Sequence, residues 1–150
     1  MTDFGSEKYR DEVILVARIL LALLFLTFGW SKFTNYAGAV AYMTRTGLPL
    51  PSIAAAAAVV VELFGSLAII LGVLTRPVAV IVALYTVVSA FIGHPYWTMT
   101  GADAYGNMIN FYKNVCIMGG YLLLYITGAG KYSIDAKLGL TVPSLKTPAH

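Results

Sequence analysis

Thiol chemistry is nearly absent from this chain: one cysteine, Cys116, in 150 residues excludes an internal disulfide and any Cys-x-x-Cys pair. Charge is scarce too. Charged residues make up 11% of the sequence, against about 25% in ordinary globular domains. The net charge of +3 is scattered, with no basic stripe or base-stacking module to hold nucleic acid. His94 and His150 are the only histidines, and no His/Cys/carboxylate cluster has ligand spacing, so neither a paired-histidine haem nor a metal site is expected. A soluble chain this short would be mostly surface, and this one lacks the polar residues to cover it.

What it has instead is apolar sequence, 59% of all residues. Four runs are long enough to span about 30 Å of hydrocarbon, which takes roughly 20 residues each. They lie at about 12–33, 52–74, 77–94 and 107–127. The expected fold is all-α, an antiparallel four-helix transmembrane bundle forming a single domain over 1–150, with a tail at about 128–150. Gly47-Leu48-Pro49-Leu50-Pro51 ends one segment, and Ser52 is placed to cap the next. Thr75-Arg76-Pro77 is too short to do anything but reverse the chain. Gly101, Asp103 and Gly106 read as a loop before the fourth run. The first run carries Arg18 and ends in Trp-Ser-Lys-Phe without a small-residue cleavage site, so it reads as a permanent helix and not a signal peptide.

Basic residues set the orientation. Lys8, Arg10, Arg76, Lys131, Lys137 and Lys146 fall on one side, with only Arg45 and Lys32 on the other. Both termini are expected in the cytoplasm and the chain in the cell inner membrane. Trp30, Tyr36, Tyr42, Tyr96, Trp97 and Tyr105 would form an aromatic belt on the outer side.

Each run has a stripe of small or polar residues at helical spacing: Arg18, Ala22, Phe25, Gly29, Lys32; then Ala55, Ala58, Glu62, Gly65, Ile69, Gly72. The third is Val82, Thr86, Ser89, Gly93, and the fourth Asn107, Asn110, Lys113, Asn114, Ile117, Gly120. Such stripes let helices approach closely in lipid. Glu62 lies ten residues into its run, about 15 Å from the end. A charged residue at a helix centre costs about 2.5–3.5 kcal/mol to insert, so partners are expected. Arg18 from below and Lys113 from above are the candidates to bracket Glu62, with Asn110 and Asn114 beside them and Lys32 and His94 at the outer mouth. One reading is a structural network that fixes helix register. The other is a ligand site, because Arg18, Glu62 and Lys113 sum to +1, a surplus suited to a quinone head group or a lipid phosphate. Cys116 reads as a small core residue and His94 as interfacial packing.

These residues also carry a family resemblance. RILLALLFLTFGWSKF, the YMTRTGLPLP turn, VELFGSLAIILGVLTRP, FIGHPYW, the Lys113-Asn114 pair and GAGKYSID run in order from Arg18 to Asp135, and together resemble the DoxX family of small bacterial and archaeal membrane proteins. Family patterns often have glycine where Ser66 stands and proline where Ala129 stands. The resemblance implies a four-helix membrane bundle. It also implies a link to respiratory redox chemistry, since the family takes its name from subunits of a thiosulfate:quinone oxidoreductase. The expected function is a quinone- or lipid-binding subunit or accessory of a membrane redox system, with a redox protein as partner. If the chain has activity, it would be that of an oxidoreductase subunit. The alternatives are a non-enzymatic scaffold or receptor for a soluble partner and, with less support, a small transporter acting as a homo-oligomer.

Overall fold

A computed structural model describes residues 8–140, and all regular structure among them is helical. The order is α1 (Arg10–Thr34), α2 (Tyr36–Arg45), α3 (Pro51–Val59), a π turn (Val60–Phe64), α4 (Gly65–Leu71), α5 (Thr75–Gly93), a 3-10 turn (Tyr96–Thr98), α6 (Gly101–Thr127) and α7 (Ile134–Lys137). α3, the π turn and α4 run on as one rod. Lys146 and His150 lie outside the described residues.

Three helical stretches are long and apolar enough to cross a bilayer: Arg10–Thr34, Pro51–Leu71 and Thr75–Thr98. α6 has the length, 27 residues, but Asn107, Asn110, Lys113 and Asn114 dilute its N-terminal half. The outward surface is one that water would not tolerate. Leu84, Leu123 and Ile126 are 64%, 69% and 70% exposed.

Several boundaries differ from the sequence expectation. Ser52 does not cap α3. Leu50 takes the cap position at φ 53°, Pro51 stands just inside the helix, and the Ser52 carbonyl instead accepts the Tyr36 hydroxyl at 2.6 Å. Residues 101–106, read as a loop, form the first turns of α6, because Ala102, Asp103 and Ala104 suit a helix start better than two glycines suit a loop. Residues 36–45, between the first two apolar runs, form a helix started by Asn35, whose side chain accepts from the Gly38 amide at 3.1 Å. α2 tucks Ala39 and Met43 against Ala55 and Ala58 of α3.

Long-range packing has two foci. Ala22, Phe25, Ile69, Ala79, Val82, Ala83, Tyr121 and Leu124 form the main core. α6 packs mainly along α5 and meets α1 over a smaller area, where Tyr121 donates to the Leu21 carbonyl at 3.1 Å. α1 lies directly on the π turn. A Cβ on Gly29 would sit 2.5 Å from the Leu63 nitrogen and 2.8 Å from the Glu62 carbonyl carbon, so no larger residue allows this approach.

Candidate functional site

Glu62 sits in the middle of the π turn and is 6% exposed. One added residue in a helical turn rotates the side chains that follow, and such turns recur where a residue must be aimed off the regular helical face. Gly29 brings α1 against this turn, and Lys32, one turn further along α1, reaches across it. The Lys32 ammonium lies 2.6 Å from Glu62 Oε2. From α5, the Tyr85 hydroxyl donates to Glu62 Oε1 at 2.5 Å. Both carboxylate oxygens are thereby held, one by a cation and one by a neutral donor.

The site is dry on one side and open on the other. Phe25 stands edge-on to Tyr85 at 6.4 Å between ring centroids and 6.0 Å from Tyr121, which closes it towards the core. The Lys32 side chain is 21% exposed, and its ammonium lies 5.5 Å from the Phe28 ring centroid. A charge pair that is partly desolvated interacts strongly, and its Lys32 edge stays exposed.

Arg18, expected to bracket Glu62 from below, does not reach it. With Gly29 opposite Glu62, Arg18 is eleven residues away along α1, about 16 Å. It is fully buried at the other end of the molecule and donates to the carbonyls of Ala129 at 2.5 Å, Ile70 at 3.1 Å and Tyr132 at 2.8 Å. Asp135 lies close enough to interact with its charge. That carboxylate accepts from the Leu74 amide at 2.7 Å and the Thr75 amide at 2.8 Å, capping α5 from a distant part of the chain. The GAGKYSID segment is thus a latch that closes two helix ends, and Arg18 is its bolt.

Lys113 also fails to bracket Glu62. It is exposed on α6 and donates to Asn110 Oδ1, one turn back, at 2.8 Å. Helical side chains lean towards the N-terminus, which brings this ammonium back over Asn110. Asn110 and Asn114 are half-buried; the stripe on α6 is not a buried face, and Tyr121 and Leu124 are the buried residues of that helix. His94 Nδ1 pairs with Asn107 Oδ1 at 3.0 Å, joining the ends of α5 and α6. Cys116, expected in the core, is exposed. Among the described residues no cluster of His, Cys, Asp or Glu could hold a metal ion.

Tyr85 and Asp135 were missed by sequence reasoning. A hydroxyl inside an apolar run needs a partner, and that alone could have paired Tyr85 with Glu62. Asp135 stands beyond the last long helix and gave no such signal.

Comparison with known proteins places the chain among membrane proteins. The family model for DoxX matches residues 13–95. The chain is 49% identical over 136 residues to the inner membrane protein YphA of Escherichia coli, covering 90% of this chain and 95% of that one. It is 44% identical over 135 residues to the inner membrane protein YqjF of the same organism, covering 88% and 96%. A weaker likeness, 25% over 132 residues and 36% of its length, links it to the ER-derived vesicles protein ERV29 of Saccharomyces cerevisiae. No solved structure matches. A helical chain with several membrane-spanning runs, nearly half identical to two inner membrane proteins, belongs to the DoxX family of membrane proteins.

Proposed function

We propose that this protein binds the head group of a quinone at the Lys32–Glu62–Tyr85 site and serves as a subunit or accessory of a membrane redox system. In this reading α6 also crosses the bilayer, the four crossings alternate in direction, and both termini lie in the cytoplasm. The observation that carries it is the double hold on Glu62. Lys32 keeps ammonium hydrogens on its exposed edge of the kind that quinone carbonyls accept. Tyr85 gives its single hydroxyl hydrogen to Glu62 and so fixes the carboxylate, and Glu62 supplies a group able to exchange a proton with a reduced ligand. Arg18 and Lys113 stand away from the site, and Lys32 with Glu62 is neutral. That removes the surplus charge which would have favoured a phosphate, and it favours a neutral, hydrogen-bonding head. The family name's link to a quinone-reducing enzyme supports the same ligand class.

The test is to purify the full chain in mild detergent, extract it, and measure quinone per protein. Wild-type protein should retain quinone at a substantial fraction of one per chain. Tyr85→Phe should lose most of it while melting within a few degrees of wild type. Quinone at background levels in the wild type would remove the proposal.

One observation favours the scaffold reading. Arg18 and Asp135 hold helix ends together through buried charge, and Lys32–Glu62 would be a second such tie. A quinone-free wild type with an intact fold would leave that reading standing.

A further inference from the structure

We infer that the groove between α1 and α6 is a binding site for one anionic phospholipid, its acyl chain lying in the groove and its phosphate at Arg10. The groove encloses about 540 Å³ and is lined by Ile14, Ala17, Leu21 and Leu24 of α1 and by Gly120 and Leu124 of α6, among other apolar residues; Thr127 alone on its walls carries a polar side-chain atom. The two helices meet at Leu21, whose side chain lies against the bare backbone of Gly120 and whose carbonyl accepts the Tyr121 hydroxyl.

Length and charge identify the occupant. From Val13 to Leu24 the groove follows α1 for eleven residues, about 16 Å, which matches one leaflet of a hydrocarbon core about 30 Å thick. A chain from a single leaflet fills it. Arg10 precedes Ile14, Ala17, Leu21 and Leu24 at steps of four, three, four and three, so it stands on the same face of α1 one turn beyond the mouth, and it is exposed. The carboxylates nearby are engaged elsewhere. Lys131 lies 3.1 Å from Glu12 and 4.0 Å from Asp11. Its amide donates to Asp11 at 3.0 Å, and the Tyr132 hydroxyl donates to Glu12 at 2.8 Å. The hydrogen bond to Glu12, with a smaller contribution from Tyr132, holds the Lys131 ammonium above its ordinary range. Asp11 and Glu12 against Lys131 leave one negative charge, which Lys8, Arg10 and Arg76 together outweigh, so this end keeps a positive field to meet a phosphate at Arg10. None of this depends on the Glu62 site at the opposite end.

The experiment is native mass spectrometry of the full chain in detergent, supplied with equal amounts of phosphatidylglycerol and phosphatidylcholine of identical acyl chains. One lipid should survive on the protein, with phosphatidylglycerol preferred about fivefold, the factor that corresponds to about 1 kcal/mol per basic residue at a membrane surface. Arg10→Gln should bring the two lipids near parity without moving the melting temperature, since the residue is exposed at a helix end. Ala17→Trp, which fills the groove from an exposed position, should remove both adducts. Equal retention of the two lipids by wild type, an unchanged preference in Arg10→Gln, or adducts that persist in Ala17→Trp would each overturn the inference. So would a dimer that closes the groove and carries no lipid.

Discussion

Arg18 and Lys32 stand on one face of α1, yet their surroundings give them different chemistry. Arg18 is wholly enclosed and donates to three carbonyls near helix ends, positions where a guanidinium fork has no substitute. Arg18→Met should lower stability by about 3–5 kcal/mol, because it strands the buried Asp135 carboxylate and the three acceptors together. Thermal unfolding in detergent reads this directly, and a loss below 1 kcal/mol would show that the latch is not structural. Lys32 faces one carboxylate and keeps an exposed edge. The apolar runs made both residues conspicuous in the sequence, as they did Glu62. Their partners were not legible, because partnering depends on how far one helix slides along another. Here the Gly29 contact and the extra residue of the π turn set that slide, and neither leaves a periodic signal.

At the scale of elements, the α1–π-turn contact and the C-terminal latch position the rest. Gly29→Leu has no room against the Leu63 nitrogen, so α1 must move off the rod and Lys32 must draw away from Glu62. Protein carrying it should melt well below wild type and hold no quinone. Asp135→Ala removes the remote cap of α5, worth about 1–2 kcal/mol for a capping oxygen, and also leaves the buried Arg18 without its counter-charge, so the loss should exceed that of a cap alone. Hydrogen exchange at the Leu74 and Thr75 amides should then accelerate, while unchanged protection there would deny Asp135 the capping role. The three helical stretches apolar enough to cross a membrane were readable because hydrophobic length is a local property. α2 was not, since a short amphipathic helix between spans differs little in composition from a polar loop. The start of α6 was obscured by Gly101 and Gly106, which helix packing tolerates.

For the whole molecule, the basic residues separate the two ends. Trp30, Tyr36, Tyr42, Trp97 and Tyr105 are all exposed and flank the Glu62 end, whereas Lys8, Arg10, Arg76, Lys131 and Lys137 gather at the Arg18 end. With basic residues retained in the cytoplasm, a reporter fused after Leu140 should be active only as a cytoplasmic fusion, and one inserted at Gly47 only as a periplasmic one. The reverse pattern would invert the orientation and place the Glu62 site near the cytoplasm. The most direct measurement of the central claim compares quinone content and melting temperature in wild type, Lys32→Met, Glu62→Gln and the double variant. Lys32→Met alone strands a buried carboxylate and should be destabilised by about 3 kcal/mol, whereas the double variant should recover most of that loss, because a removed pair often breaks even with its replacement. Recovered stability with quinone still at background is the expected result for a ligand site built on Lys32, Glu62 and Tyr85. A double variant that regains its stability and carries quinone at the wild-type level would contradict it.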